Sequence, residues 1–126
     1  MSNKIYTDKA PAAIGPYSQA VSVGNLVFTS GQIPLDPETG AFVGDNIKDQ
    51  THRVCKNLDA VLTAAGSSLG NAVKTVCYLS DMENFAEFNE VYAEYFTEKP
   101  ARSCVAVKAL PKGALVEIEV IAEKVI

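Results

Sequence analysis

Four polar side chains stand out late in the chain, in PARSCVAV (residues 100–107) and LVEIEVIAE (115–123): Arg102, Cys104, Glu117 and Glu119. A guanidinium is a planar fork that can bind both oxygens of a carboxylate. A partly desolvated glutamate can hold and polarise water as a general base. Other chemistry is poorly served. His52 is the sole histidine, and Cys55, Cys77 and Cys104 form no CxxC pair. No acidic run has ligand spacing, so no metal site is expected. The phosphate-cradling patterns GxxxxGKS/T and GxGxxG are absent. Cys104 has no histidine near it in sequence to activate it as a nucleophile, and His52 is read as a surface residue beside a helix's apolar stripe.

These residues need strands to hold them. Residues 18–23 and 26–33 read as two strands around the turn Gly24-Asn25. Pro34 to Asp45 is a loop. Helix one is expected over 46–65, because Ile47, Thr51, Val54, Cys55, Leu58, Val61, Leu62 and Ala65 fall on one stripe. Asp45 is its expected cap and Gly66 its stop. Residues 71–80 form a strand apolar on both faces, hence central. Helix two is expected over 82–97, with Ser80 and Glu83 at capping-box spacing and Phe85, Phe88, Tyr92, Tyr95 and Phe96 as its buried stripe. Two final strands, 102–109 and 115–124, flank Leu110 to Ala114. A further short strand is allowed at 4–7. The order β-β-α-β-α-β-β predicts a two-layer α+β domain in one unit, 1–126, with a mixed sheet and both helices on one face.

Side chains alternate along a strand. If the valines of the last two strands lie under the helices, then Arg102, Cys104, Glu117 and Glu119 share the helix-free face. Pairing these strands as a hairpin, Val107 with Val116, puts Arg102 near Ile121 and roughly 13 Å of backbone from Glu117. Cys104, Ala106 and Ile121 are odd choices for open water, and either Val73, Thr75, Cys77 and Leu79 or Val76 and Tyr78 must join them. A half-apolar sheet face of this kind predicts a homo-oligomer with sheets facing inward.

The net charge of −4 and pI near 4.9, with no basic run, argue against nucleic-acid binding. One well-placed arginine can still attract a small anion. The odd cysteine count points to a reducing compartment. No signal-like stretch opens the chain and no run approaches a membrane span. The expectation is a soluble, cytoplasmic protein without membrane contact.

The segments AAIGPYSQA (12–20), TSGQIP (29–34), FNEVYAEYF (88–96), PARSCVAV (100–107) and LPKGALVEIE (110–119), in this order, resemble the RidA/YjgF family of reactive-intermediate deaminases. The resemblance spans nearly the whole chain. It implies a chorismate-mutase-like fold and a homotrimer whose sheets build a central barrel, with clefts between subunits. It implies hydrolysis of 2-iminobutanoate and 2-iminopropanoate to 2-keto acids and ammonia without a cofactor. Arg102 matches the arginine that holds the substrate carboxylate, and Glu117 the residue that orients the attacking water. Cys104 matches a cleft cysteine that acts through its backbone. Tyr17 matches a cleft aromatic, Ser30 and Gly31 the loop touching the ligand, and Asn89 a polar group near the cleft. The short TEK stretch before PARSC, where some relatives carry an insertion, leaves the cleft rim and side-chain preference open. Two other readings use the same residues: a keto-acid-binding regulatory protein without turnover, and an endoribonuclease or translation inhibitor. The acidic charge counts against the second.

Overall fold

The last strand explains most of the architecture. Val116, Ile118, Val120 and Ala122 recur at period two, and each is at most 2% exposed. A strand this apolar is best satisfied between two neighbours and under a helical layer. The computed structural model, which describes residues 2–125, places it there. The chain runs β1 (Ser2–Ile5), β2 (Ala20–Val23), β3 (Leu26–Thr29), α1 (Ile47–Ala64), β4 (Ala72–Leu79), α2 (Phe85–Tyr95), β5 (Ala101–Ala106) and β6 (Val116–Glu123). The six strands form one sheet in the order β1-β2-β3-β6-β4-β5. Only β4 and β5 pair in parallel. The other pairs are antiparallel.

Both helices pack on one face. The stripe of α1 buries Val54, Cys55, Leu58, Val61 and Leu62 completely, and Phe88 of α2 joins them over Val116 and Ile118. Each large apolar side chain there contributes roughly 1.5–3 kcal/mol. Register fixes what else looks that way: Thr75, Cys77 and Leu79 lie opposite Val120, Ile118 and Val116. Val76 and Tyr78 therefore face outward, which settles the alternative left open by β4.

The ends of the elements depart from the sequence reading in small ways. Asn46, not Asp45, caps α1 by accepting from the Asp49 N–H at 2.9 Å. Gly66 follows the helix at φ +80°, where it avoids the Cβ penalty. A short 3₁₀ turn, Met82–Asn84, precedes α2, and Asp81 rather than Ser80 caps it by accepting from the Glu83 N–H. The first strand lies at 2–5 rather than 4–7.

Two expectations fail more seriously. The strands β5 and β6 do not form a hairpin. The crossover through α2 lays β5 beside β4 in parallel, as right-handed βαβ units do. β6 then pairs on the other side of β4, between it and β3, where both its edges are hydrogen-bonded. Residues 107–115 bridge the gap of two strand spacings, only about 10 Å, with ease. The second failure is that the valines of β5 do not lie under the helices. On β5, Arg102 pairs in register with Thr75 and Cys104 with Cys77, so both lie on the helix face. Val105 takes the open face, 47% exposed.

The lead-in before β2 is held by one side chain. Gln19, 2% exposed, accepts from the Thr7 N–H at 2.7 Å and donates to the carbonyls of Thr7, Ala10 and Pro11. Replacing it with leucine leaves these groups unpaired, at a cost of about 1–3 kcal/mol. The expected outcome of Gln19→Leu is a lower urea midpoint with an unchanged denaturant slope. An unchanged midpoint would mean that the lead-in is held elsewhere.

Candidate functional site

Arg102 sits where β5 meets α2. Its Nη1 donates to Asn89 Oδ1 at 2.6 Å. The guanidinium carbon lies 4.8 Å from the centroid of the Tyr92 ring and 5.5 Å from that of Phe85. Phe85, Asn89 and Tyr92 occupy positions i, i+4 and i+7 of α2, one stripe of the helix. No carboxylate among the described residues lies within ion-pair reach of Arg102; the one salt bridge found joins Lys48 and Glu90. The cation is thus held by a neutral amide and two ring faces, with most of its five N–H donors uncommitted. A pocket of about 440 Å³ opens beside it, lined by Asn89, Tyr92, Thr97, Lys99 and Pro100.

Cys104 stands two residues along the same strand, half-buried against the core. Burial pushes its thiol up and Arg102 only partly offsets this, so it is a thiol rather than a thiolate. Its backbone is better placed for binding. The Val107 N–H donates to the Leu79 carbonyl. In a parallel ladder a residue's N–H and C=O point to the same side, so Ser103, Val105 and Val107 point theirs at β4. Arg102 and Cys104 turn theirs to the free rim of the sheet.

Glu117 occupies the opposite face. Its neighbours in sequence, Val116 and Ile118, are core, which forces it outward. It is half-buried there and accepts no hydrogen bond from any described residue. Burial pushes its carboxyl above the ordinary 4.5, and Glu119 adds to this. Glu119 differs, since it accepts from the Tyr78 hydroxyl at 2.9 Å.

A bulge shapes the loop beside Glu117. Phe28 faces Ile121 and Gln32 faces Ile118, so four steps on one strand match three on the other. Thr29 Oγ1 fills the gap by accepting from the Val120 N–H at 3.0 Å. Ser30 is tied down: its hydroxyl donates to the Ser18 carbonyl and its N–H to the Gln19 carbonyl. A Cβ on Gly31 would stand 2.8 Å from Glu117 Cδ, so any side chain there would displace the Glu117 carboxyl from its present place. Gly31 also lines a cavity of about 300 Å³ with Tyr17, Ile14, Ile33, Pro111 and Lys112. Lys112 has φ +56°, a left-handed conformation uncommon for a side-chain-bearing residue.

The residues expected in one site therefore fall into two groups. Arg102, Asn89 and Cys104 gather on the helix side at the β5 rim. Glu117, Gly31, Ser30 and Tyr17 gather around the bulge and the lead-in, with Glu117 on the open face. The sequence reading missed the bracket of Phe85 and Tyr92, although the signal was visible: Asn89 interrupts an aromatic stripe. No three His, Cys, Asp or Glu side chains converge as a metal site among the described residues.

The profile of the family described as Endoribonuclease L-PSP matches residues 7–124. The chain belongs to the RidA/YjgF family. A RutC family protein of Pyrococcus abyssi is 57% identical over 121 residues, covering 95% of each chain. Within the RidA/YjgF family, the 2-iminobutanoate/2-iminopropanoate deaminase of Salmonella typhimurium is 48% identical, covering 97% of this chain and 98% of its own. The crystal structure of E. coli TdcF with bound serine superposes with a TM-score of 0.92 at 45% identity, covering 98% of this chain and 99% of that one. The mixed sheet with two helices is the chorismate-mutase-like fold shared by RidA/YjgF structures.

Glu117 gives a pH prediction. Its raised pKa means that the folded chain binds this proton more tightly than the unfolded chain. Stability therefore falls as pH rises from 4.5 through the raised value. Glu117→Gln removes the titration without changing shape. Its urea midpoint should exceed the parent's at neutral pH and approach it in acid, below the ordinary carboxylate range. Parallel midpoints at every pH would contradict a burial cost for this carboxylate.

Proposed function

We propose that this chain hydrolyses 2-imino acids, 2-iminobutanoate and 2-iminopropanoate foremost, to 2-keto acids and ammonia in clefts between the copies of a homotrimer. The observation that carries this reading is a pair of unmatched charges. Among the described residues Arg102 has no counter-ion and Glu117 has no cation, and the sheet separates them. A charge kept partly desolvated without a partner is costly unless something arrives to pair with it. In one chain these two groups cannot meet over one ligand. In two adjacent copies they can, with the β5 rim of one lying against the bulge of the next. The open face supports such packing, since Val23, Leu26, Phe28 and Val105 are each at least 37% exposed.

The chemistry follows from the groups. Arg102 takes the substrate carboxylate on its free N–H fork. The outward backbone groups of Cys104 and the ring of Tyr17 confine the rest. Glu117 of the neighbouring copy removes a proton from water as the water oxygen bonds to the imine carbon. That proton passes to nitrogen to give a carbinolamine; the carbinolamine's hydroxyl proton then follows to nitrogen, the C–N bond breaks, and ammonia leaves as the carbonyl forms. A carboxyl whose pKa has been raised both takes and returns a proton more readily near neutrality. The scheme calls on no metal or organic cofactor. Imines already hydrolyse in water, so positioning and one base are enough.

The deaminase relative from Salmonella typhimurium and the serine held by TdcF accord with an amino-acid-like ligand. Three free cysteines accord with a cytoplasmic setting. The net charge of −4 gives no support to RNA as a substrate.

With threonine dehydratase as the imine source, Arg102→Ala should lose at least about tenfold in kcat/KM, the worth of one charge-assisted contact. Glu117→Gln should lower kcat instead. Unchanged keto-acid release by Arg102→Ala would reject the assignment, a fully active Glu117→Gln would remove Glu117 as the base, and a parent protein that adds nothing to spontaneous release would favour a keto-acid-sensing role. Mixing the two variants under conditions of subunit exchange should restore turnover, because some clefts then hold both intact residues. A mixture as inactive as its parts would place the site within one chain.

A further inference from the structure

The assignment of Arg102 as the carboxylate anchor leaves a physical problem. A free arginine spreads over many rotamers, and a carboxylate near enough to fix it would also neutralise it. The structure solves this without an acid. Thr75 and Arg102 are cross-strand neighbours on β4 and β5, so their side chains stand together on the helix face. Tyr92 of α2 lies across both. Its hydroxyl is 2.7 Å from Thr75 Oγ1, with Thr75 fully buried, and its ring lies under the guanidinium at 4.8 Å. Phe85 presents a second ring at 5.5 Å. From these contacts we infer that Tyr92, tethered by Thr75 and supported by Phe85, is a positioning residue that fixes the Arg102 guanidinium for an anionic ligand while leaving its charge unspent.

Ring faces suit this task. They attract the cation through their quadrupole and take none of the in-plane N–H donors that a carboxylate would use. Asn89 takes one donor at Nη1 and sets the rotation about the guanidinium axis. The Thr75 tether prevents Tyr92 from swinging outward with the arginine. Tyr92 also stacks on Phe96 with centroids 4.6 Å apart, so the bracket is continuous with the core. A purely structural Tyr92 would share that stacking, but it would not govern ligand affinity or the arrangement of Arg102.

The inference rests on the carboxylate-binding reading of Arg102, and the experiment separates the two. The chain has two arginines, Arg53 and Arg102, so the side-chain Nε–Hε NMR spectrum of the full-length protein holds two signals, and Arg53→Lys assigns them. Ring currents should displace the Arg102 signal in the parent protein. In Tyr92→Leu it should move towards the position of a solvated arginine. In the imine assay the same variant should raise KM about tenfold, equivalent to about 1.4 kcal/mol, with kcat within about twofold. Tyr92→Phe keeps the ring but loses the Thr75 tether, and should move both readouts in the same direction as Tyr92→Leu but by less. If Tyr92→Leu fails to fold, Phe85→Leu, which alters the half-buried flank, should move both readouts in the same direction by less. A variant that loses thermal stability while the Arg102 signal and KM stay fixed overturns the inference. So does a KM that rises without movement of the signal. Arg102→Ala, run alongside, tests the underlying reading: an unaltered KM there defeats carboxylate binding by Arg102, whatever the NMR signals do.

Discussion

One sheet cannot offer both its faces to the same small ligand. The hydrophobic core claims the face under α1 and α2 through Val116, Ile118 and Val120, and strict alternation then sends Glu117 the other way. At the β5 edge the helical layer thins to the aromatic stripe of α2, and Arg102 finds room on the core side. Both placements follow from burying the valines of β6. Sliding that strand by one residue would exchange its faces, expose four core residues and bury three glutamates, so the register is strongly enforced.

The two half-sites treat charge in different ways. Arg102 is a cation kept by an amide and two rings, with solvent and a pocket on its open side. Glu117 is a carboxyl that burial pushes towards its protonated form, resting on a glycine that leaves room for it. The bulge at Thr29–Gly31 brings that glycine backbone close; the Thr29 hydroxyl repairs the ladder that the bulge breaks, and the Ser30 hydroxyl ties the loop to the Ser18 carbonyl. Polar side chains near a site can thus be structural; the hydroxyl of Ser30 is already committed to a carbonyl.

Periodicity made the element order, the α1 stripe and the common side of both helices legible in the sequence. The strength of the β6 pattern also fixed the outward direction of Glu117. The strand order was not legible, because a short Pro-Gly connection resembles a hairpin, and nothing local says that residues 107–115 step across β4. The side of Arg102 and Cys104 was misassigned for a separate reason, since β5 itself alternates weakly: Val105 and Val107 look like core residues until its neighbour is known. The site residues were read through family motifs, and motifs carry no information about faces. The aromatic bracket was passed over because Phe85 and Tyr92 look like ordinary core, although Asn89 beside them marks the place.

The position of β5 at the sheet margin has a consequence for how the chain behaves alone. Its outer amides and carbonyls are a ready template for another strand, and its only charge is Arg102. Proteins commonly guard such margins with lysine, proline or a covering segment, and within Ala101–Ala106 none of these is present. A solitary copy therefore carries an adhesive border. Under the proposed function, the groups that make it adhesive are the same ones that would hold a small carboxylate, so ligand capture and protection from aggregation would draw on one strip of backbone.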